Sequence, residues 1–246
     1  MINKKDYLLP FNENNICFLH GGDNGISNFK FRYQIEKFQW GYLVNFVYYQ
    51  EENKAVLPGN VYYNVRYAIY RDKPILSFDI VALSDKKTIL NVTNHPYFNL
   101  GENNLDNLKL HINSKQYLSI DKKYMRPLGK KEVSSCLDFS ISKPIMKDIN
   151  APLISNGASK GYDHYFYFDE HRFFDPQVIL ESDNYMLKIM SDAPGVQIYT
   201  SNYETNAKFV NEDRNINQSI AIEFEKPWCD ENIVDKNKNT GIIMSV

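Results

Sequence analysis

The feature that most constrains this 246-residue chain is a hydrophobic period of two. Over residues 61–71, Val61, Tyr63, Val65, Tyr67 and Ile69 fall on one side while Asn64 and Arg66 fall on the other, the pattern of a half-buried strand. A second strand, 75–83, follows the Asp72-Lys73-Pro74 turn, and a third, 88–94, follows Ser84-Asp85-Lys86-Lys87. Neither connection can hold a crossover helix, so consecutive strands are expected to pair antiparallel. The same reading predicts strands at 41–49, 108–113, 177–182, 185–191, 196–200 and 219–225, with Asp183-Asn184 turning one into the next. No 3.6-residue apolar stripe persists over three turns, and eighteen Tyr with fifteen Phe suit pleated surfaces. The expectation is an all-β antiparallel sandwich. Residues 140–160 and 204–218 read as long loops without linker composition, so residues 1–246 are expected to form a single domain without repeats.

Charge narrows the function. Twenty-eight Lys and Arg against thirty Asp and Glu leave a formal charge of -2, which gives no drive toward a phosphate backbone or an anionic membrane. Nucleic acid and membrane are therefore not expected as partners. No apolar run approaches a membrane span and no secretory leader follows Met1, so a cytoplasmic protein is expected. Cys17, Cys136 and Cys229 are odd in number, scattered, and in no C-x-x-C arrangement. Neither a disulfide framework nor a thiolate metal site follows, and a reducing compartment fits.

Five histidines can be weighed singly, and no two have the close helical spacing of a zinc site, so no metal is expected. His111 alternates with Leu110 and Ile112 and reads as structural, whereas His171, among Asp169, Glu170 and Arg172, reads as solvated. His95 stands where a strand stops, in Asn94-His95-Pro96-Tyr97-Phe98. The proline holds its backbone extended, which suits an aimed imidazole and equally a ring tucked under the turn against a carbonyl. In residues 219–225, Ala221, Glu223 and Glu225 share one face opposite Ile220, Ile222 and Phe224. Facing solvent, the carboxylates mean nothing. Lining a cleft beside a histidine, they form an acid/base pair, with opposite charges expected to keep Glu223 ionised and the histidine protonated. Asp163 and Gln197, set among tyrosines, suit a polyhydroxylated ligand, or else are a turn-capping Asp and a strand Gln.

Five segments, taken in order, resemble signatures of the aldose 1-epimerase (galactose mutarotase) family. They are LHGGDNGISNF from Leu19, NVTNHPYFNLGE, GYDHYF, APGVQIYTSN and IAIEFEKPWCDEN, collinear across nearly the whole chain. The resemblance implies a galactose-mutarotase-type antiparallel β-sandwich, or supersandwich, and a cofactor-free isomerase acting on the anomeric carbon of a free hexose such as glucose or galactose. Carried over by position, Glu223 is the general base, His95 the general acid, and His20, Asp163 and Gln197 hold sugar hydroxyls.

Two departures stand out against the family pattern. Family members carry an N-terminal portion with a Gly-Arg-x-x-Asn-Arg-like segment, and this chain starts at a point just after it. The expectation is a fold lacking those strands, with sheet edges covered by its own loops or by a second copy in a homodimer. Losing a charged contact to the sugar would cost roughly 1.5 to 3 kcal/mol, so an alternative is a weakly active or non-catalytic carbohydrate-binding protein. The related hexose-6-phosphate epimerases fit less well, because Gly21-Gly22 follows His20 and no basic cluster awaits a phosphate. The second departure is Phe224-Glu225 where the family has Thr-Gln, an added charge expected to push neighbouring pKa values upward.

Overall fold

The structure, a computed structural model, describes residues 2, 4–123, 125–157, 159–169, 175–203, 216–227, 233–234 and 240–245. His171, Cys229 and most of the 204–218 segment lie outside these residues. In chain order the strands are β1 (Arg32–Phe38), β2 (Gly41–Gln50), β3 (Val61–Tyr70), β4 (Leu76–Ser84), β5 (Thr88–Ile89) and β6 (Tyr97–Phe98). There follow β7 (Lys109–Ile112), β8 (Gln116–Ile120), β9 (Pro127–Glu132), β10 (Lys143–Pro144), β11 (Asp163–Tyr167) and β12 (Val178–Glu181). The last are β13 (Met186–Ser191), β14 (Gly195–Tyr199), β15 (Ile220–Glu225), β16 (Ile233–Val234) and β17 (Thr240–Ser245). The chain is all-β and antiparallel, as the period of two requires, and it divides into two compact units.

The first unit, Met1–Val92 with Trp228–Val246, is built on the run β1-β2-β3-β4-β17. Each strand pairs antiparallel with the next, with Arg32 opposite Val47, Val47 opposite Asn64 and Asn64 opposite Val81. Val61, Tyr63, Ala82 and Leu90 form a buried cluster against which Ile26, Phe31, Tyr48 and Val92 pack. The strand expected at 88–94 shortens to Thr88–Ile89, whose ladder partner is Ile233–Val234.

The second unit, Thr93–Pro227, holds two antiparallel runs, β13-β12-β7-β10 and β6-β15-β14-β11-β8-β9. Leu110, Ile112, Val178, Leu180 and Ile189 bury the inner face of the first run, and Phe166, Val196, Ile198, Ile220, Ile222 and Phe224 bury that of the second. The predicted loop at 140–160 is broken into a short strand (β10), a 3-10 turn at Ile145–Asp148 and one turn of α-helix at Pro152–Ser155. Proline at the start of that helix presets φ where no amide partner is needed.

Candidate active site

The site grows from the far face of β15. Ile220, Ile222 and Phe224 are buried on one side, as alternation demands, but Ala221 and Glu223 on the other side are buried too, Glu223 being only 5% exposed. A carboxylate is therefore held almost out of water in a strand paired on both sides.

Register brings its neighbours in. Gln197 on β14 stands directly opposite Glu223. On the other flank Tyr97 of β6 stands opposite Ala221, and stepping two residues back from Tyr97 while stepping two forward from Ala221 sets His95 beside Glu223. Thr93 Oγ1 donates to the Phe224 carbonyl at 2.9 Å, fixing the incoming segment where the ladder has ended. His95 Nε2 thus lies 3.3 Å from Glu223 Oε1. The Tyr97 ring stacks on the imidazole, centroids 5.0 Å apart, and meets Tyr199 edge-on, which limits rotation of His95.

A second polar pair lies along the same face. Gln197 Nε2 donates to Asp163 Oδ1 at 2.6 Å, and Ser159 Oγ donates to Asp163 Oδ2. That contact orients the Gln197 amide and leaves its buried Oε1 with no hydrogen-bond donor among the described residues. The Asp163 amide donates to His164 Nδ1 at 3.0 Å. Burial, and secondarily Lys122, push His164 down to about 4, so it stays neutral beneath Tyr117 and Tyr162 and serves the packing. His111 sits half-buried on β7 opposite Ile179.

Burial, then the Glu225 and Asp163 charges, push Glu223 up to about 8. Desolvation and the two like charges favour the protonated carboxyl, opposite in direction to the expectation of an ionised Glu223. The upward push by Glu225 matches the expectation drawn from its place in the sequence.

Of the five residues singled out by sequence, His95, Asp163, Gln197 and Glu223 all belong to the second unit. His20 belongs to the first, exposed and with a left-handed φ of 54°, after Leu19, whose amide is held by Asn12 Oδ1. Sequence reasoning missed Thr93, Ser159, Tyr97 and Tyr199. Tyr97 carried a signal, lying two residues from His95 and hence on the same face of an extended segment; Ser159 carried none.

The fold is antiparallel all-β, and on one sheet face it sets an imidazole in contact with a carboxylate, with an amide and a second carboxylate beside them. The aldose 1-epimerase family model matches residues 1–245, and the chain belongs to that family. It is 32% identical over 193 residues to the aldose 1-epimerase of Haemophilus influenzae, covering 75% of this chain and 54% of that protein. It is 26% identical over 210 residues to the galactose mutarotase of Mus musculus, covering 82% and 57%. The chain spans about half the length of these relatives. Among solved structures it resembles the galactose 1-epimerase of Lactobacillus acidophilus NCFM, with a TM-score of 0.86 and 25% identity over 97% of this chain and 71% of that one. The fold alone is also shared with an aldose epimerase homologue from C. elegans, at a TM-score of 0.81 and 18% identity, covering 100% and 76%. The galactose-mutarotase-type sandwich implied by the sequence motifs is thus the fold of this chain.

Proposed function

We propose that this chain is an aldose 1-epimerase that interconverts the α and β anomers of a free hexose such as glucose or galactose. The observation that carries the reading is the 3.3 Å contact between His95 Nε2 and Glu223 Oε1. Ring opening needs one base and one acid at neighbouring oxygens of the same carbon. Glu223, as carboxylate, takes the proton of the C1 hydroxyl while the C1–O5 bond breaks and protonated His95 delivers a proton to O5, leaving an aldehyde at C1 and a hydroxyl at C5. Rotation about C1–C2 exposes the other carbonyl face. In reclosure His95 takes the C5 hydroxyl proton and Glu223 returns one to O1. The pair as a whole carries one proton at every stage, and its direct contact lets that proton pass from the carboxyl favoured in the free site to the imidazole.

Gln197 Oε1 is a buried acceptor suited to a sugar hydroxyl, and its orientation by Asp163 supports a binding role for both. The role of His20 as a hydroxyl ligand rests on the family resemblance. No electron transfer occurs, so the reaction calls for no cofactor. A cytoplasmic location belongs to the same reading, supported by scattered cysteines of which Cys17 and Cys136 are free thiols; no helix among the described residues is long and apolar enough to cross a membrane.

Optical rotation of freshly dissolved α-glucose and α-galactose tests the proposal. The rotation should reach equilibrium faster with the chain than in buffer. Saturable sugar binding by calorimetry with no acceleration of either sugar would instead make it a carbohydrate-binding protein.

A further inference from the structure

The sheet edges of the chain are not alike. β9 is exposed throughout, yet it opens on Pro127, carries Gly129 and adjacent Lys130 and Lys131, and breaks register against Ser119 and Ile120. These are devices that keep an edge from pairing with another chain. β6 and β10 have two residues each, and β10 includes Pro144. β1 carries the charges of Arg32, Glu36 and Lys37 but lacks the proline, the glycine, the register break and the shortness of the other edges. Its seven residues, Arg32-Tyr33-Gln34-Ile35-Glu36-Lys37-Phe38, contain no proline or glycine, pair in unbroken register with β2, and pair with nothing else among the described residues.

Tyr33 and Ile35 are 68% and 58% exposed. They share a face with Phe46 and Val44, their partners on β2, and that face continues through Val65 and Tyr67 of β3. On the opposite face stand Arg32 and Glu36, which form no ion pair among the described residues. The strand is self-complementary: antiparallel to itself about Gln34, every Arg32 meets a Glu36 and every Tyr33 meets an Ile35.

We propose that β1 is an interface for a second copy of this chain, the two strands pairing antiparallel about a two-fold axis at Gln34. The pairing is isologous, so each favourable contact occurs twice. Arg32 faces the partner's Glu36 and Glu36 faces the partner's Arg32, while Tyr33 and the partner's Ile35 cover one another on the apolar side. Cross-strand pairs of these kinds are the units that stabilise an antiparallel ladder. The inference is independent of the proposed enzymatic activity.

Light scattering across a micromolar concentration range, on the full chain, tests it. A dimer is expected. R32E sets two glutamates opposite the partner's Glu36 positions, and E36R sets arginines against arginines, so each variant alone should dimerise roughly ten- to a hundred-fold more weakly. An equimolar mixture of the two variants restores both opposite-charge pairs and should regain the dimer, as should R32E/E36R in one chain. Recovery on mixing cannot come from misfolded variants. A monomer at every concentration, with the edge covered by another segment or another protein, overturns the proposal. So does a dimer whose strength ignores both single charge reversals.

Discussion

His95 and Glu223 stand 128 positions apart in sequence, yet their side chains meet at 3.3 Å because β6 and β15 pair with Tyr97 opposite Ala221. The contact is a product of strand register, and register in a buried sheet tolerates no slip: a one-residue shift of β15 would send Glu223 into the core and bring Ile222 or Phe224 to the site.

The rate of anomer exchange should fall as pH rises through about 8, where the pair loses its single proton and with it the acid. E225Q removes one of the charges that raises Glu223, so the alkaline limb should move to lower pH. Polarimetric rates across the pH range for both proteins check the direction; an alkaline limb unmoved by E225Q would contradict it.

The same carboxyl makes stability depend on pH. Its pKa is raised from 4.5 to about 8 on folding, so between those values the folded chain keeps a proton that the unfolded chain has lost. The contribution is complete below the unfolded pKa and is lost as pH rises through the folded one. Urea unfolding should therefore show the chain losing stability relative to E223Q on going from about pH 5 to about pH 9, by at most about 1.36 kcal/mol per unit.

Asp163 accepts hydrogen bonds from Gln197 and Ser159. D163A leaves Gln197 Nε2 without its acceptor in a buried place and should cost about 1 to 3 kcal/mol in denaturant unfolding. It should also free the Gln197 amide to rotate, raising KM more than it lowers kcat.

Gly195 opens β14 opposite Tyr167, and a Cβ there would run into the Phe166 carbonyl and the Tyr165 hydroxyl. That hydroxyl donates to the Glu225 carbonyl at 2.9 Å, so the intrusion would reach the strand that carries Glu223. G195A should destabilise the chain by about 1 to 3 kcal/mol, read as a lowered melting temperature.

What could be read in sequence follows from how each strand is buried. β3, β4 and β15 were legible in place and extent to within a residue or two, since apolar and polar positions alternate there. β11 was not, because Tyr165, Phe166 and Tyr167 are all buried and a central strand covered on both faces shows no alternation. β1 and β9 were missed for the opposite reason, being mostly exposed on both faces. At the site, the residue types of His95, Asp163, Gln197 and Glu223 were visible locally, but their company was not. It depends on pairings between strands far apart in the chain, and the motif resemblance alone pointed to it. The upward pressure on the Glu223 pKa was not legible, because the burial of Ala221 and Glu223, on the face opposite the core, is a tertiary property that seven residues of sequence do not carry.

The most direct measurement is proton exchange spectroscopy on an equilibrium mixture of glucose anomers, and separately of galactose anomers, reading magnetisation transfer between the α and β anomeric protons. The account predicts transfer with the intact chain, reduced about 100- to 10,000-fold in E223Q and in H95Q while both variants keep the parent circular dichroism. Transfer at the parent rate in either folded variant would contradict the claim that this imidazole and this carboxylate perform the chemistry.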